Sequence, residues 1–318
     1  MSEYVPTYDD VLSAAQTLQG EAVRTPLMRC DALDAATGCK VFVKPENLQR
    51  TGSFKFRGAF NAISKLTDQD RDKGVLASSS GNHAQGVGEA SRLFGCSATI
   101  VMPADAPAMK VKRTKALGAK VVHFDRASED RDVKLGGVVI HPFNNAMVIA
   151  GQGTVGLEIA EDMKAAELQL DRMVACTGGG GLTSGIALSI KHHFPEAKIH
   201  SVEPVGFDDY KRSLDSGKLE CNATTAGSIC DAIIAPMPGA IGFEINKNLL
   251  NSGLVVSDEE ALAAIRFAYE ELKLVVEPGG AVALAAVLKH GKEWAGETIA
   301  IVLSGGNIDP DVFVRAIS

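Results

Sequence analysis

The amino-acid sequence predicts an α/β fold with mostly parallel sheets. Two observations carry this. Short β-branched runs alternate with helix-period patterns almost throughout, and the strands are near-continuously apolar, as strands covered on both faces are. In chain order, "KVFVK" (40–44), "GVLAS" (74–78), "ATIVMP" (98–103), "AKVVHF" (119–124), "RMVACT" (172–177), "KIHSVE" (198–203) and "TIAIVLS" (298–304) read as strands. Helical stretches lie between them at 54–66, 83–94, 107–117, 182–193, 258–272 and 280–289. No Pro/Ser-rich linker or repeat array interrupts the pattern, so any domain division must come from how the chain winds.

Composition narrows the function classes. A chain of 318 residues buries a sizeable core and suits two domains. A net charge of −7 gives no support to a nucleic-acid partner. The one basic run, Lys110, Lys112, Arg113, Lys115 and Lys120, fits the solvated face of a helix. Six dispersed cysteines, with neither C-x-x-C nor zinc spacing, suggest reduced thiols and a cytoplasmic protein. The start "MSEYVPTYDD" is no secretory signal, and no apolar run approaches the ~20 residues a bilayer requires. No membrane partner is expected.

The stretch "TGSFKFRGAF" (51–60) holds a lysine that looks misplaced. Phe56, Ala59, Phe60 and Ile63 recur at amphipathic-helix spacing, and Thr51 and Ser53 are helix-capping types. Lys55 therefore falls in or beside a first helical turn, where the macrodipole disfavours a cation. It also sits between Phe54 and Phe56. The plain alternative is a surface lysine at a helix start.

Four glycine-rich segments read as turns. "CTGGGGLTSG" (176–185) follows a strand and opens a helix, and free N–H groups there make an anion cradle suited to phosphate. "SSSGNHAQG" (78–86) sets hydroxyls, backbone donors and an amide at another strand end, where a helix cap is the competing reading. "LSGGN" (303–307) places Ser304 at the end of the last apolar strand, where ligands of open α/β sheets gather. "GQGTVG" (151–156) matches G-x-G-x-x-G, but Asp171 precedes a strand where the dinucleotide fingerprint needs an acid at a strand end. A nicotinamide oxidoreductase is thereby disfavoured.

Taken together, these segments resemble the fold type II pyridoxal-phosphate enzymes, and among them the serine/threonine dehydratases (threonine ammonia-lyases) and serine racemases. The resemblance spans "RTPL" (24–27), "VFVKPENLQRTGSFKFRGA" (41–59), the N-H-A-Q-G form of the asparagine loop, "VVEPGGAVALAAVL" (275–288) and "IVLSGGN" (301–307). It implies a tryptophan-synthase-beta-like fold of two three-layer α/β domains. The large domain would comprise 1–74 and 148–318, and the small one 75–147. It further implies that Lys55 carries pyridoxal 5'-phosphate and acts as the base. Its pKa would be depressed by the apolar walls, Phe54 included, and by the helix end. Gly178, Gly179, Gly180, Gly181 and the Leu182 amide would hold the phosphate, Asn82 the ring oxygen, and Ser304 the pyridine nitrogen. A neutral serine there leaves the ring a moderate electron sink. Ser79, Ser80, Gly81, Asn82 and His83 would bind the substrate carboxylate. Ser80 is also the second base in the racemase pattern; the dehydratases share the residue, so it permits racemisation without proving it, and carboxylate binding is its other role.

In "VEPVGFDDY" (202–210) the resemblance implies a divalent-cation site at Glu203, the Phe207 carbonyl and Asp209, whose oxygen ligands suit Mg²⁺ or Ca²⁺. An acidic turn without metal is the alternative, and Asp208 competes with Asp209. One departure is a stretch at 128–143 that looks short, with Arg131 at its edge as a reader of the substrate's distal group. The expected reaction is β-elimination from L-threonine or L-serine. Serine racemase and threo-3-hydroxyaspartate dehydratase are the alternatives on the same scaffold, and a homodimer or homotetramer is expected.

Overall fold

The computed structural model describes residues 4–79, 81–104, 108–124, 136–224 and 226–318. The strands are β1 (Met28–Arg29), β2 (Lys40–Pro45), β3 (Val75–Ser78), β4 (Ala98–Pro103), β5 (Lys120–Phe124), β6 (Val138–Val139), β7 (Arg172–Cys176), β8 (Lys198–Pro204), β9 (Ser252–Val256) and β10 (Thr298–Leu303). The α-helices are α1 (Tyr8–Leu18), α2 (Asp31–Thr37), α3 (Lys55–Ser64), α4 (Asp68–Asp72), α5 (Asn82–Phe94), α6 (Ala108–Ala116), α7 (Ala146–Ala165), α8 (Gly181–His193), α9 (Asp209–Ser216), α10 (Ala240–Leu249), α11 (Asp258–Phe267), α12 (Pro278–His290) and α13 (Pro310–Ile317).

Two sheets organise these elements. One has the order β1-β2-β10-β7-β8-β9 and the other β5-β4-β3-β6. Every pairing is parallel except that of β1 with β2. Parallel strands need covering helices on both faces. One face of the six-stranded sheet packs with α12 in a core that includes Val174, Val202, Ile301 and Leu284, and the other with α7 and α8 through Met173, Val302, Ile159 and Ile186. The smaller sheet shares a core with α3 and α5 through Ile100, Val87, Phe56 and Ile63. This is the α/β architecture expected, with each of the seven anticipated strands present.

One segment overturns its sequence reading. "GQGTVG" is no turn; it lies inside α7. Its glycines serve close helix packing. A Cβ on Gly151 would lie 2.6 Å from the Arg57 carbonyl oxygen, one on Gly153 2.9 Å from that of Gly185, and one on Gly156 2.9 Å from Ile186 Cα. The backbone of α7 thus runs against both α3 and α8, which side chains at these positions would forbid.

The α3 start also differs in detail. The N-cap is Phe54, with no side-chain cap bond. Thr51 adopts φ +59, and Ser53 is extended and bridges Gly305. The turn before α3 is tied to the 304–307 segment instead: Phe54 N donates to Ser304 O at 3.1 Å, Gly306 N to Gly52 O at 2.9 Å, and Asn307 Nδ2 to Thr51 O at 2.8 Å. On α6, Lys112, Arg113 and Lys115 are exposed. Among the described residues no helix is long and apolar enough to cross a membrane.

Candidate active site

A cavity of about 600 Å³ opens at the carboxyl ends of β3, β7 and β10, between the two sheets. It brings together Phe54, Lys55, Ser79, Gly81, Asn82, His83, all four glycines 178–181, Leu182 and Ser304, residues spread over most of the chain. Ser80 and Arg131 lie outside the described residues, as does much of the short 128–143 stretch.

Lys55 begins α3 and is held from both sides. Its Nζ donates to the Pro142 carbonyl at 2.9 Å and stands 5.1 Å from the Phe54 ring centroid. The carbonyl is presented by a turn in which His141 Nδ1 accepts from Phe143 N (3.3 Å) and Asn144 N (2.9 Å). Desolvation drives the Lys55 pKa down to about 8, and the nearby Glu277 charge only partly offsets this. Behind the lysine, Arg57 anchors the helix in a buried ion network. Its guanidinium donates to Glu46 (Nε–Oε2 2.8 Å) and Glu158 (Nη1–Oε1 2.6 Å), and Lys44 Nζ meets Glu158 Oε2 at 2.7 Å. In front, α5 packs so closely that a Cβ on Gly86 would lie 3.0 Å from the Lys55 carbonyl.

Asn82 opens α5. Its Oδ1 accepts from Asn307 Nδ2 at 2.7 Å, and its Nδ2 donates to Glu277 Oε1 at 2.5 Å. Those partners fix the amide and leave one N–H for the cavity. His83 is buried, with Nε2 2.7 Å from the Ile140 carbonyl, and burial lowers its pKa to about 3. Nε2 of this neutral ring is therefore the donor, and Nδ1 has no hydrogen-bond partner among the described residues. Ser79 Oγ accepts from Gly81 N at 3.2 Å and shapes the loop before α5.

The glycine cradle runs from the end of β7 into α8, whose first-turn N–H groups have no intrahelical acceptors. It tolerates no side chains. A Cβ on Gly179 would meet the Phe143 ring at 2.3 Å, and one on Gly180, where φ is +88, would meet the Tyr210 ring at 2.3 Å.

Away from the cavity, Glu203, next to last in β8, caps α9, accepting from Tyr210 N (2.9 Å) and Lys211 N (2.8 Å). Asp209 accepts from Asn222 Nδ2 at 2.5 Å through Oδ1, while its buried Oδ2 has no hydrogen-bond partner among the described residues. Burial and mutual repulsion push the Glu203 pKa well above the usual carboxylate range, and burial takes Asp209 to about 6. Phe207 is buried between them in sequence. Among the described residues no group of three or more His, Cys, Asp or Glu side chains is arranged to hold a metal, so this corner offers two carboxylates and backbone oxygens.

Two participants escaped the sequence reading. Glu277 looks like a helix cap before Pro-Gly-Gly, and Asn307 like the tail of a turn; only the tertiary fold sets them on Asn82.

A desolvated lysine facing a glycine cradle at a helix N-terminus is the equipment for holding a phosphorylated aldehyde. The chain belongs to the pyridoxal-phosphate-dependent enzymes: the family profile described as "Pyridoxal-phosphate dependent enzyme" matches residues 18–305. It is 42% identical over 319 residues to an L-threonine ammonia-lyase of Thermotoga maritima, covering 98% of this chain and 78% of that protein. It is also 42% identical to an L-threo-3-hydroxyaspartate ammonia-lyase of a Pseudomonas species, covering 95% and 96%. The solved structure of maize serine racemase superposes with a TM-score of 0.91 at 36% identity, covering 99% of this chain and 97% of that one. The residues present fit pyridoxal phosphate: the amine is partly neutral near pH 8, and the cradle is one that any Cβ would obstruct.

Proposed function

We propose that this protein is an ammonia-lyase acting on β-hydroxy amino acids, converting L-threonine to 2-oxobutanoate and L-serine to pyruvate, each with release of ammonia. The observation that carries this is the Lys55 amine, desolvated to a pKa of about 8 and held by the Pro142 carbonyl at the cavity wall. When bound, pyridoxal phosphate supplies an electron-accepting ring to the substrate α-carbon. Lys55 is then the group that takes the α-proton, since a neutral amine is present at working pH. The N–H groups of Gly178 to Leu182 would bind the phosphate. The free Asn82 N–H would meet the ring oxygen, and the Ser304 hydroxyl the ring nitrogen. The α5 N-terminus, with Ser79, Gly81 and His83, would receive the substrate carboxylate. Ser80 would add to that carboxylate site and Arg131 to recognition of the distal group.

Hydroxyaspartate dehydration is the second reading, favoured by the equal identity to the Pseudomonas enzyme; racemisation is the third outcome to score. The test is one panel. Purified protein is given L-threonine, L-serine, D-serine and L-threo-3-hydroxyaspartate, and 2-oxo acid and serine chirality are quantified together. Fast oxo-acid release from threonine or serine with little D-serine supports the proposal. Turnover of hydroxyaspartate alone, or dominant D-serine, overturns the substrate assignment.

A divalent cation, Mg²⁺ or Ca²⁺, at Glu203, the Phe207 carbonyl and Asp209 suits the unpartnered Asp209 oxygen and the oxygen-only donors. We take 75–147, which carry the four-stranded sheet, as the small domain, and 1–74 with 148–318 as the large one. We further expect a homodimer or homotetramer in the cytoplasm, in keeping with six unpaired cysteines.

A further inference from the structure

The acidic corner and the glycine cradle share one side chain. Tyr210 is completely buried in the first turn of α9. Its backbone N–H is bound by Glu203, and its hydroxyl accepts from Asn246 Nδ2 at 2.7 Å. The far edge of its ring lies under Gly180: Cε2 would be 2.3 Å, and the hydroxyl 2.6 Å, from a Cβ placed there. Gly180 is the last residue before α8, so its position sets where the cradle N–H groups point.

A second tie leaves the same corner. Asn222 donates Nδ2 to Asp209 Oδ1 and also to the Ala235 carbonyl at 2.8 Å, and its N–H reaches the Pro236 carbonyl at 2.9 Å. Ala235 and Pro236 line the cavity. Two walls of the cofactor site therefore hang on the two carboxylates.

We infer that occupancy of the acidic corner by a divalent cation sets how tightly the cofactor phosphate is held, with Tyr210 as the positioning residue that passes the effect to Gly180. The inference rests on the cation reading above. A cation that takes oxygens from both Glu203 and Asp209 is attracted to each and holds the end of β8 and the first turn of α9 together. Tyr210 is fixed to both, and Gly180 has no side chain with which to absorb a shift of the ring. The coupling is reciprocal: the phosphate tightens the cation by the same factor.

The test uses full-length apoprotein and needs no turnover. Pyridoxal phosphate and pyridoxal, which lacks the phosphate, are titrated spectroscopically with Mg²⁺ or after EDTA. Mn²⁺ binding is followed separately by paramagnetic resonance. The expected result is that Mg²⁺ lowers the Kd for pyridoxal phosphate about tenfold and leaves pyridoxal unchanged. Tyr210→Phe, which keeps the ring, should retain the effect, and Tyr210→Leu should bind Mn²⁺ yet lose it. Mn²⁺ binding without any change in cofactor Kd, or an equal change for pyridoxal, overturns the inference while leaving the cation reading intact. Absence of Mn²⁺ binding overturns both. If Tyr210→Leu does not fold, the contrast between the two aldehydes in the unaltered protein still decides.

Discussion

Asn82 and Glu277, 195 residues apart in sequence, meet side chain to side chain at 2.5 Å close to Lys55. The contact does two things. It holds the Asn82 amide with its oxygen on Asn307 and one N–H toward the cavity, and it sets a carboxylate near Lys55, whose pKa it raises.

Removing that carboxylate should therefore show twice. In Glu277→Ala the amide loses its charged acceptor, which costs about 1.5 kcal/mol and so about tenfold in cofactor affinity. The Lys55 pKa should also fall, moving the pH dependence of cofactor recombination toward acid. Titrations of the apoprotein at several pH values read both effects.

Lys55 itself should govern the pH response. Its pKa is lowered to about 8, so the neutral amine that captures an aldehyde accumulates as pH rises through that value. The recombination rate with pyridoxal phosphate should climb from pH 6.5 and level off above about 9. Lys55→Ala should fold and yet lose roughly 10²- to 10⁴-fold in oxo-acid production. A variant retaining a tenth of the activity would remove Lys55 from the proposed role.

The ion network behind α3 should be a point of fragility. Arg57 is buried and serves two carboxylates, Glu46 and Glu158, of which Glu46 is wholly buried. Arg57→Met would leave the Glu46 charge without its cation, while Glu158 keeps Lys44, and would cost about 3–5 kcal/mol. A denaturant titration should show the midpoint drop, and growth of the deficit with pH above 5 would trace it to the carboxylates.

A second prediction of stability concerns acid. His200 accepts from Arg172 Nη1 at 2.5 Å, its Nδ1 lies 2.9 Å from Ser252 Oγ, and burial and the Arg172 charge lower its pKa to about 4. His83, at about 3, behaves alike. Both rings stay neutral in the fold and take up protons when unfolded, so stability falls as pH drops from 6.5 toward 4. Two such groups give about 2.7 kcal/mol per pH unit in the steep part. His200→Gln, which still accepts from Arg172, should roughly halve that slope. Trp294 stacks on His200 at 5.9 Å and is the one tryptophan, so its fluorescence follows the transition.

How much of this was legible beforehand varied with how local the cause was. The seven long strands announce themselves because parallel strands covered on both faces are apolar at every position. Lys55 stood out because it breaks a helix-start rule within four residues. β1, β6 and β9 did not, being two-residue pairings or, for β9, a half-exposed strand at the sheet edge. α7 was missed for a different reason: it is buried nearly all round and carries three glycines at helix contacts, so it presents no polar face to give a period. Glu277 and Asn307 look like ordinary cap and turn residues, and nothing near them in sequence says that each finds Asn82.

The position of β10 has a consequence for how the molecule is made. It is the last strand in chain order yet lies between β2 and β7 in the sheet. Throughout synthesis, then, β2 and β7 each present an unpaired edge of the kind that recruits foreign strands. The two halves of the large sheet join only when residues 298–303 leave the ribosome. The same closing segment brings Ser304, Asn307 and the backbone ties to the turn before Lys55. Nascent chains should therefore be aggregation-prone and cofactor-free until this segment has emerged, so that vitamin loading waits on the closing of the sheet.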